Sequence, residues 1–169
     1  MDEGLLLIRL VFGLVIAAHG AQKLFAWFGG YGLDGTGQFL EGLGFRPGRL
    51  FAQLAGASEF GGGLLFALGL FGPLGSMLIL AVMITAAVSV HWQGGLFATS
   101  NGFELPLVYA TGAVAVALTG PGRYSVDALF GLTSLWSPAL VWLALVLGIA
   151  GAFGNLALRR VPGGKAVGV

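Results

Sequence analysis

The chain has 169 residues, of which 57% are hydrophobic and only 9% are charged. Soluble domains carry about 25% charged residues, so this composition excludes an ordinary soluble protein and indicates a membrane protein. The net charge of +1 and the lack of a basic tract argue against nucleic-acid binding. The chain has no cysteine, which excludes disulfides, thiolate metal sites and cysteine-held iron–sulfur clusters.

The first apolar run, residues 5–28, predicts a membrane-spanning helix, because about 20 apolar residues are needed to cross a bilayer. The residues before it are acidic and the run is longer than a signal-peptide core, so we expect an uncleaved span. The run contains Arg9, His19, Gln22 and Lys23, although an ionisable side chain at the bilayer centre costs about 2.5–3.5 kcal/mol. His19, Gln22 and Lys23 have the spacing of one helical face, which should therefore meet acceptors elsewhere.

Four later apolar runs predict further spans: residues 50–71, 74–90, 104–119 and 139–158. The runs are continuous rather than alternating, so the predicted fold is all-α, a polytopic membrane helical bundle. We expect a four-helix bundle over residues 1–130, an additional C-terminal helix over 131–158, and a basic flexible tail over 159–169. A short interfacial helix with a Thr36 cap is expected in the glycine-rich connection between the first two spans.

The distribution of lysine and arginine predicts the orientation. Five spans with the N-terminus outside place one basic residue, Arg123, in an outer loop and six on the inside: Lys23, Arg46, Arg49, Arg159, Arg160 and Lys165. The predicted orientation is N-out and C-in, and it depends on residues 139–158 crossing the membrane.

Consecutive spans alternate in direction, which places the polar residues in two clusters. His19 and Glu59 lie equally far along their helices from one membrane surface, near mid-membrane. The first cluster, a candidate ligand or proton site, is His19, Lys23, Glu59, His91 and Glu104. The second, expected to be structural and near the opposite face, is Arg9, Arg123, Ser125 and Asp127. We predict that residues 120–127 bind Arg9 through Asp127.

Intramembrane charges can also simply hold helices in register. Glu59 fits that reading least, because leucine in its place would remove a desolvation cost. We predict that Glu59 faces the interior, within direct or one-water reach of His19 or Lys23, in a small polar pocket among the first four helices. A metal site made by histidine and glutamate is chemically possible, but no ligand-pair spacing supports it and none is expected.

Several ordered motifs identify a resemblance. They are Arg9, HG at 19–20, Lys23, GGYGLDGTGQF at 29–39, EFGGGLL at 59–65, His91, GFE at 102–104 and GPGRYSVD at 120–127. Together they resemble the DoxX family over residues 9–129. The resemblance implies a four-helix bundle in the bacterial plasma membrane, with His19, Lys23, Glu59, His91 and Glu104 at its polar motif positions. Some relatives are associated with quinone-linked sulfur oxidation or with membrane oxidoreductase assemblies. The apolar run after Pro138 departs from the four-helix pattern.

Three functions remain open from the sequence, and it leaves open whether the protein is an enzyme. The first is a quinone-binding or electron-transfer accessory subunit of a membrane oxidoreductase, in which the polar cluster would bind carbonyl groups and deliver protons. The second is a binder or proton-coupled transporter of a small hydrophobic solute, and the third is a scaffold for soluble redox enzymes. No cofactor motif is evident, so any electrons must come from a partner or a bound cofactor such as quinone. The lipid bilayer, an oxidoreductase and a second copy of the chain are the expected partners.

Overall fold

The computed structural model describes residues 1–160, and within them the regular structure is helical, without β-strands. The helices are α1 (Asp2–Phe25), α2 (Gly32–Gly42), α3 (Gly48–Leu68), α4 (Leu74–Ala86), α5 (Glu104–Thr119), α6 (Val126–Leu129) and α7 (Pro138–Ala157). A π-helical turn, Ala87–His91, continues α4. The predicted all-α membrane bundle is therefore confirmed.

Within residues 1–160, three helical segments are long and apolar enough to cross a bilayer: Asp2–Phe25, Leu74–Gly94 and Pro138–Ala157. The other two members of the bundle meet that standard less well. α3 has 21 residues but contains Glu59, and α5 is apolar but has only 16 residues. Both helices pack among the longer ones, so α1, α3, α4 and α5 form the four-helix core.

Glycines let α1 and α3 pack backbone against backbone. A Cβ atom added at Gly63 would lie 2.5 Å from the carbonyl oxygen of Gly13, and Gly20 lies directly against the backbone of Phe60. Small residues let membrane helices meet backbone to backbone, where dispersion contacts replace the hydrophobic driving force that lipid removes. We call this contact the α1–α3 glycine seam.

Two apolar clusters complete the bundle. One joins α1, α3, α4 and α5: Ile16, Phe66, Ile79, Met83, Ala113 and Val116. The other packs α7 against α4 and α5: Leu80, Ala117, Val141 and Leu145. α7 therefore lies outside the four-helix core, on the face made by α4 and α5.

The two ends of α7 lie at opposite ends of the bundle. Just before α7, the Trp136 indole N–H donates to Asp127 Oδ2 at 2.9 Å. Just after it, Arg159 Nε donates to the Leu43 carbonyl oxygen at 2.5 Å. We call these the Asp127 end and the basic end. α7 thus extends from one end to the other, as a fifth span would, and the orientation of the ends in the membrane stays a prediction.

Two local expectations differ from the structure. Thr36 is buried inside α2 and does not cap it, because α2 begins earlier, at Gly32, whose positive φ of 63° turns the chain into the helix. The first two residues of the expected flexible tail are bound, since the Arg160 N–H donates to the Gly44 carbonyl at 2.8 Å. Residues 161–169, with Lys165, lie outside the described residues.

Candidate functional site

Lys23 and Glu59 form an ion pair between α1 and α3. Lys23 Nζ lies 2.5 Å from Glu59 Oε2, and the Glu59 side chain is only 5% exposed. Gly56, one turn before Glu59, lets α1 approach, because a Cβ atom there would lie 2.8 Å from the Leu24 side chain. The prediction that Glu59 faces the interior within direct reach of Lys23 is confirmed.

His19 lies one turn before Lys23 on α1, and Gln22 fixes its orientation. Gln22 Nε2 donates to the Phe28 carbonyl at 3.1 Å, so its oxygen is the atom that faces His19 Nδ1 at 3.2 Å. Because that oxygen can only accept, Nδ1 carries a proton, and in a neutral ring Nε2 would then be the acceptor. Gln22 therefore sets the tautomer of His19.

A cavity of about 730 Å³ opens beside the ion pair. This volume lies within the range of about 300–1,000 Å³ that small-molecule sites occupy. Helices α1, α2, α3, α4, α5 and α7 all contribute to its walls, which are mostly apolar. Its polar lining residues are His19, Lys23, Thr36, Ser58, Glu59, Thr85, Ser89, His91, Asn101, Tyr109 and Asn155. The expected small polar pocket is instead a large apolar cavity with polar groups, because α2 and α7 add aliphatic and aromatic walls.

The end of α4 is shaped around this cavity. Thr85 Oγ1 donates to the Ala81 carbonyl at 2.9 Å, and Ser89 Oγ donates to the Thr85 carbonyl at 2.7 Å. Such hydroxyl bonds to the preceding turn often bend helices, and π-helical turns are frequent at functional sites. The wide turn Ala87–His91 places Ser89 and His91 on the cavity wall. The apolar sequence of this span gave no sign of the π-helical turn.

His91 and Glu104 have different positions, although both were expected in one cluster. His91 lines the cavity and its Nδ1 lies 3.0 Å from the Asn101 carbonyl oxygen. Glu104 is the first residue of α5, and its carboxylate accepts the Ala98 N–H at 2.8 Å. Its side chain thus binds the preceding loop instead of the cavity wall. Four of the five predicted residues, His19, Lys23, Glu59 and His91, share one cavity, and Glu104 does not.

The second cluster holds the Asp127 end together. Arg9 is 1% exposed and donates to the backbone carbonyls of Pro121 and Tyr124, the latter at 2.6 Å. The segment 120–127 therefore binds Arg9, as predicted, but Asp127 does not. Its oxygens are already bound by the N–H groups of Phe71 at 2.9 Å and Gly72 at 2.6 Å, and by the indole that precedes α7.

The remaining members of this cluster bind the chain's first residues and a short helix. Arg123 pairs with Asp2 at 3.6 Å and with Glu3 at 3.1 Å, and its side chain is exposed. Ser125 caps α6 by accepting the Ala128 N–H at 3.2 Å. These contacts join the start of α1 to the segment after α5, which is a structural role.

A second cavity lies at the other end of the bundle. The cavity at the Asp127 end has a volume of about 550 Å³ and is lined by Arg9 and Trp136. The Arg9 Nη1 and Nη2 groups and the Trp136 indole already bind protein atoms, whereas Arg9 Nε is buried and makes no hydrogen bond to the described residues. The larger cavity holds the ion pair, His19 and His91, and is the candidate site. Among residues 1–160, no group of three histidine, aspartate or glutamate side chains is placed to bind a metal ion.

Comparisons with known proteins place the chain in a family and identify a relative. The DoxX family profile matches residues 4–92, which include α1 to the π-helical end of α4. Inner membrane protein YqjF of Escherichia coli strain K12 is 29% identical over 128 residues, covering 76% of this chain and 92% of that protein. No solved structure matches the chain. The family match includes His19, Lys23, Glu59 and His91 but ends before α5 and α7, so it is shorter than the resemblance over residues 9–129.

Proposed function

The chain belongs to the DoxX family and is a multi-pass protein of the bacterial inner membrane, and on this basis we propose that it binds a quinone as an accessory subunit of a membrane oxidoreductase. The observation that carries the proposal is a mostly apolar cavity of about 730 Å³ with a buried ion pair in its wall. The oxidoreductase is part of the proposal because the sequence has no cysteine and no redox cofactor motif, so electrons must come from elsewhere.

The lining of the cavity fits a quinone. The ring and the isoprenoid tail are apolar and match the walls, and the two carbonyl oxygens need hydrogen-bond donors. Lys23, Ser58 and Tyr109 line the cavity and have such donors. A bound quinone would supply redox chemistry that takes up two electrons and two protons.

The residues of the chain would handle those protons. Lys23 and Glu59 form an ion pair in the wall of this mostly apolar cavity, and amine and carboxyl groups can donate and accept protons. His19 faces the same cavity and presents Nε2 as an acceptor, as fixed by Gln22. Together these groups would place proton donors and acceptors beside a bound quinone.

Mass spectrometry of the protein purified in mild detergent tests the proposal. We expect close to one quinone per protein chain, and loss of the quinone from a folded Glu59→Gln variant, since the charge that fixes Lys23 is gone. Asp34→Asn is the matched control, because it removes an exposed carboxylate whose one ion pair within residues 1–160 is with Arg49, at 3.3 Å.

Two results would contradict the proposal. One is a purified protein that lacks quinone and does not bind added decylubiquinone. The other is recovery of a different small apolar molecule from the cavity, which would favour a carrier of hydrophobic solutes.

A further inference from the structure

One face of α7 forms a wall of the cavity. Gly151, Asn155 and Leu158 line it, and their spacing of four and three residues places them on the same side of the helix. This helix lies outside the part of the chain that the DoxX family profile matches, residues 4–92. The cavity therefore combines a family-matched half with a wall from the C-terminal helix.

Asn155 is the polar group on that wall. Trp142 aside, it is the one polar side chain in α7, and it is half-buried. Its amide makes no hydrogen bond to any of residues 1–160, although an unpaired amide is unfavourable in apolar surroundings. An amide that faces a ligand cavity and has no protein partner is suited to bind a polar group of the ligand.

Gly151, one turn earlier, leaves room beside that amide. A Cβ atom added there would meet no atom within 4 Å. The end of α7 is also fixed across the cavity, because Arg159 binds the Leu43 carbonyl at 2.5 Å and Arg160 binds the Gly44 carbonyl at 2.8 Å. The wall is therefore held in place, and its shape can select a ligand.

We propose that α7 determines which ligand the cavity accepts: the Asn155 amide donates a hydrogen bond to a carbonyl oxygen of the ligand, and Gly151 provides space for its ring. This inference rests on the proposed function and extends it, because it assigns selectivity to residues outside the family match. The ligand class is an apolar molecule that carries a carbonyl group on a ring.

Equilibrium binding of two probes to the detergent-solubilised protein tests this inference. Decylubiquinone has ring carbonyls, whereas decylbenzene has the same tail and none. Asn155→Leu should bind decylubiquinone about tenfold more weakly, the loss expected for one hydrogen bond, and should bind decylbenzene unchanged. Gly151→Leu should weaken both probes, because its side chain fills the cavity.

Gly154→Leu is the matched control. A side chain there also meets no atom within 4 Å, but Gly154 does not line the cavity, so binding should stay at the wild-type level. The inference is overturned if wild-type protein binds decylubiquinone and Asn155→Leu binds it equally well, or if Gly154→Leu is as harmful as Gly151→Leu. In those cases the proposed function still stands. Failure of the wild-type protein to bind decylubiquinone would contradict the proposed function itself.

Discussion

The contribution of the Lys23–Glu59 pair can be separated from its use in binding by a double-mutant cycle. Glu59→Leu leaves the Lys23 ammonium without its partner, whereas Lys23→Met with Glu59→Leu removes the whole pair. Breaking a fully buried ion pair costs about 3–5 kcal/mol, because the remaining charge is desolvated. The Lys23 side chain keeps 28% of its surface exposed and lines the cavity, so it retains contact with water. We therefore expect Glu59→Leu to lower the free energy of unfolding by about 2 kcal/mol, below the fully buried case.

The double variant should recover most of that loss. Replacing an ion pair by apolar residues of similar volume is often neutral or stabilising, so its free energy of unfolding should lie close to that of the wild type. Lys23→Met alone should be at least as harmful as Glu59→Leu, since Glu59 is less exposed than Lys23. The coupling energy between the two positions, which is the loss in the double variant minus the losses in the two single variants, is then about 4 kcal/mol or more in magnitude.

Unfolding in mixed detergent micelles gives the stabilities, and quinone content is measured on the same samples. A stable double variant that lacks quinone would show that the pair serves binding, and one that keeps quinone would show that the pair is structural. Additive losses in the two single variants, with no recovery in the double variant, would refute the reasoning, because the two side chains would then not interact.

Two further predictions concern packing and orientation. Gly63→Ala should destabilise the protein by about 1–3 kcal/mol through overpacking against Gly13, whereas Gly61→Ala, where a Cβ atom meets open space, should be neutral or stabilising by up to about 1 kcal/mol. Equal thermal melts for the two alanine variants would contradict the α1–α3 glycine seam. Reporter fusions after residue 130 and after residue 160 should lie on opposite sides of the membrane, with the latter in the cytoplasm. Reporters on one side would mean that α7 does not span.

Composition and continuous apolar runs were sufficient to predict the fold class, because in lipid the backbone N–H and C=O groups can form their hydrogen bonds only in helices or closed barrels. The ends of the helices were less predictable. Residues 5–28 form one apolar run in the sequence, but α1 is Asp2–Phe25. The next residue, Ala26, has a left-handed φ of 58° and stops the helix. Aromatic residues at a membrane interface continue the apolar pattern after the helix has ended. The sequence carries no signal for that change.

The accuracy of each predicted contact depended on how many groups in the sequence could serve as the partner. Depth counting placed Glu59 level with His19 on α1, because helix length fixes how deep each residue lies. The observed partner is Lys23, one turn farther along the same face, which the sequence offered as the alternative. The partner of Arg9 was predicted only as a segment, since the acceptors are backbone carbonyls and every residue has one. The position of Asn155 on the cavity wall was not predicted, because an apolar run does not show which face of α7 meets the cavity.

The α1–α3 glycine seam and the ion pair beside it bear on how the protein enters the membrane during synthesis. α3 alone would bring a carboxylate into lipid, a cost of about 2.5–3.5 kcal/mol on insertion scales, and α3 is not among the helices apolar enough to span by themselves. α1 is made first and carries the matching ammonium, and only α2 and its short connections separate the two helices in the chain. We therefore expect the cotranslational insertion of α3 to depend on α1, because pairing with Lys23 neutralises the charge that Glu59 would bring into lipid.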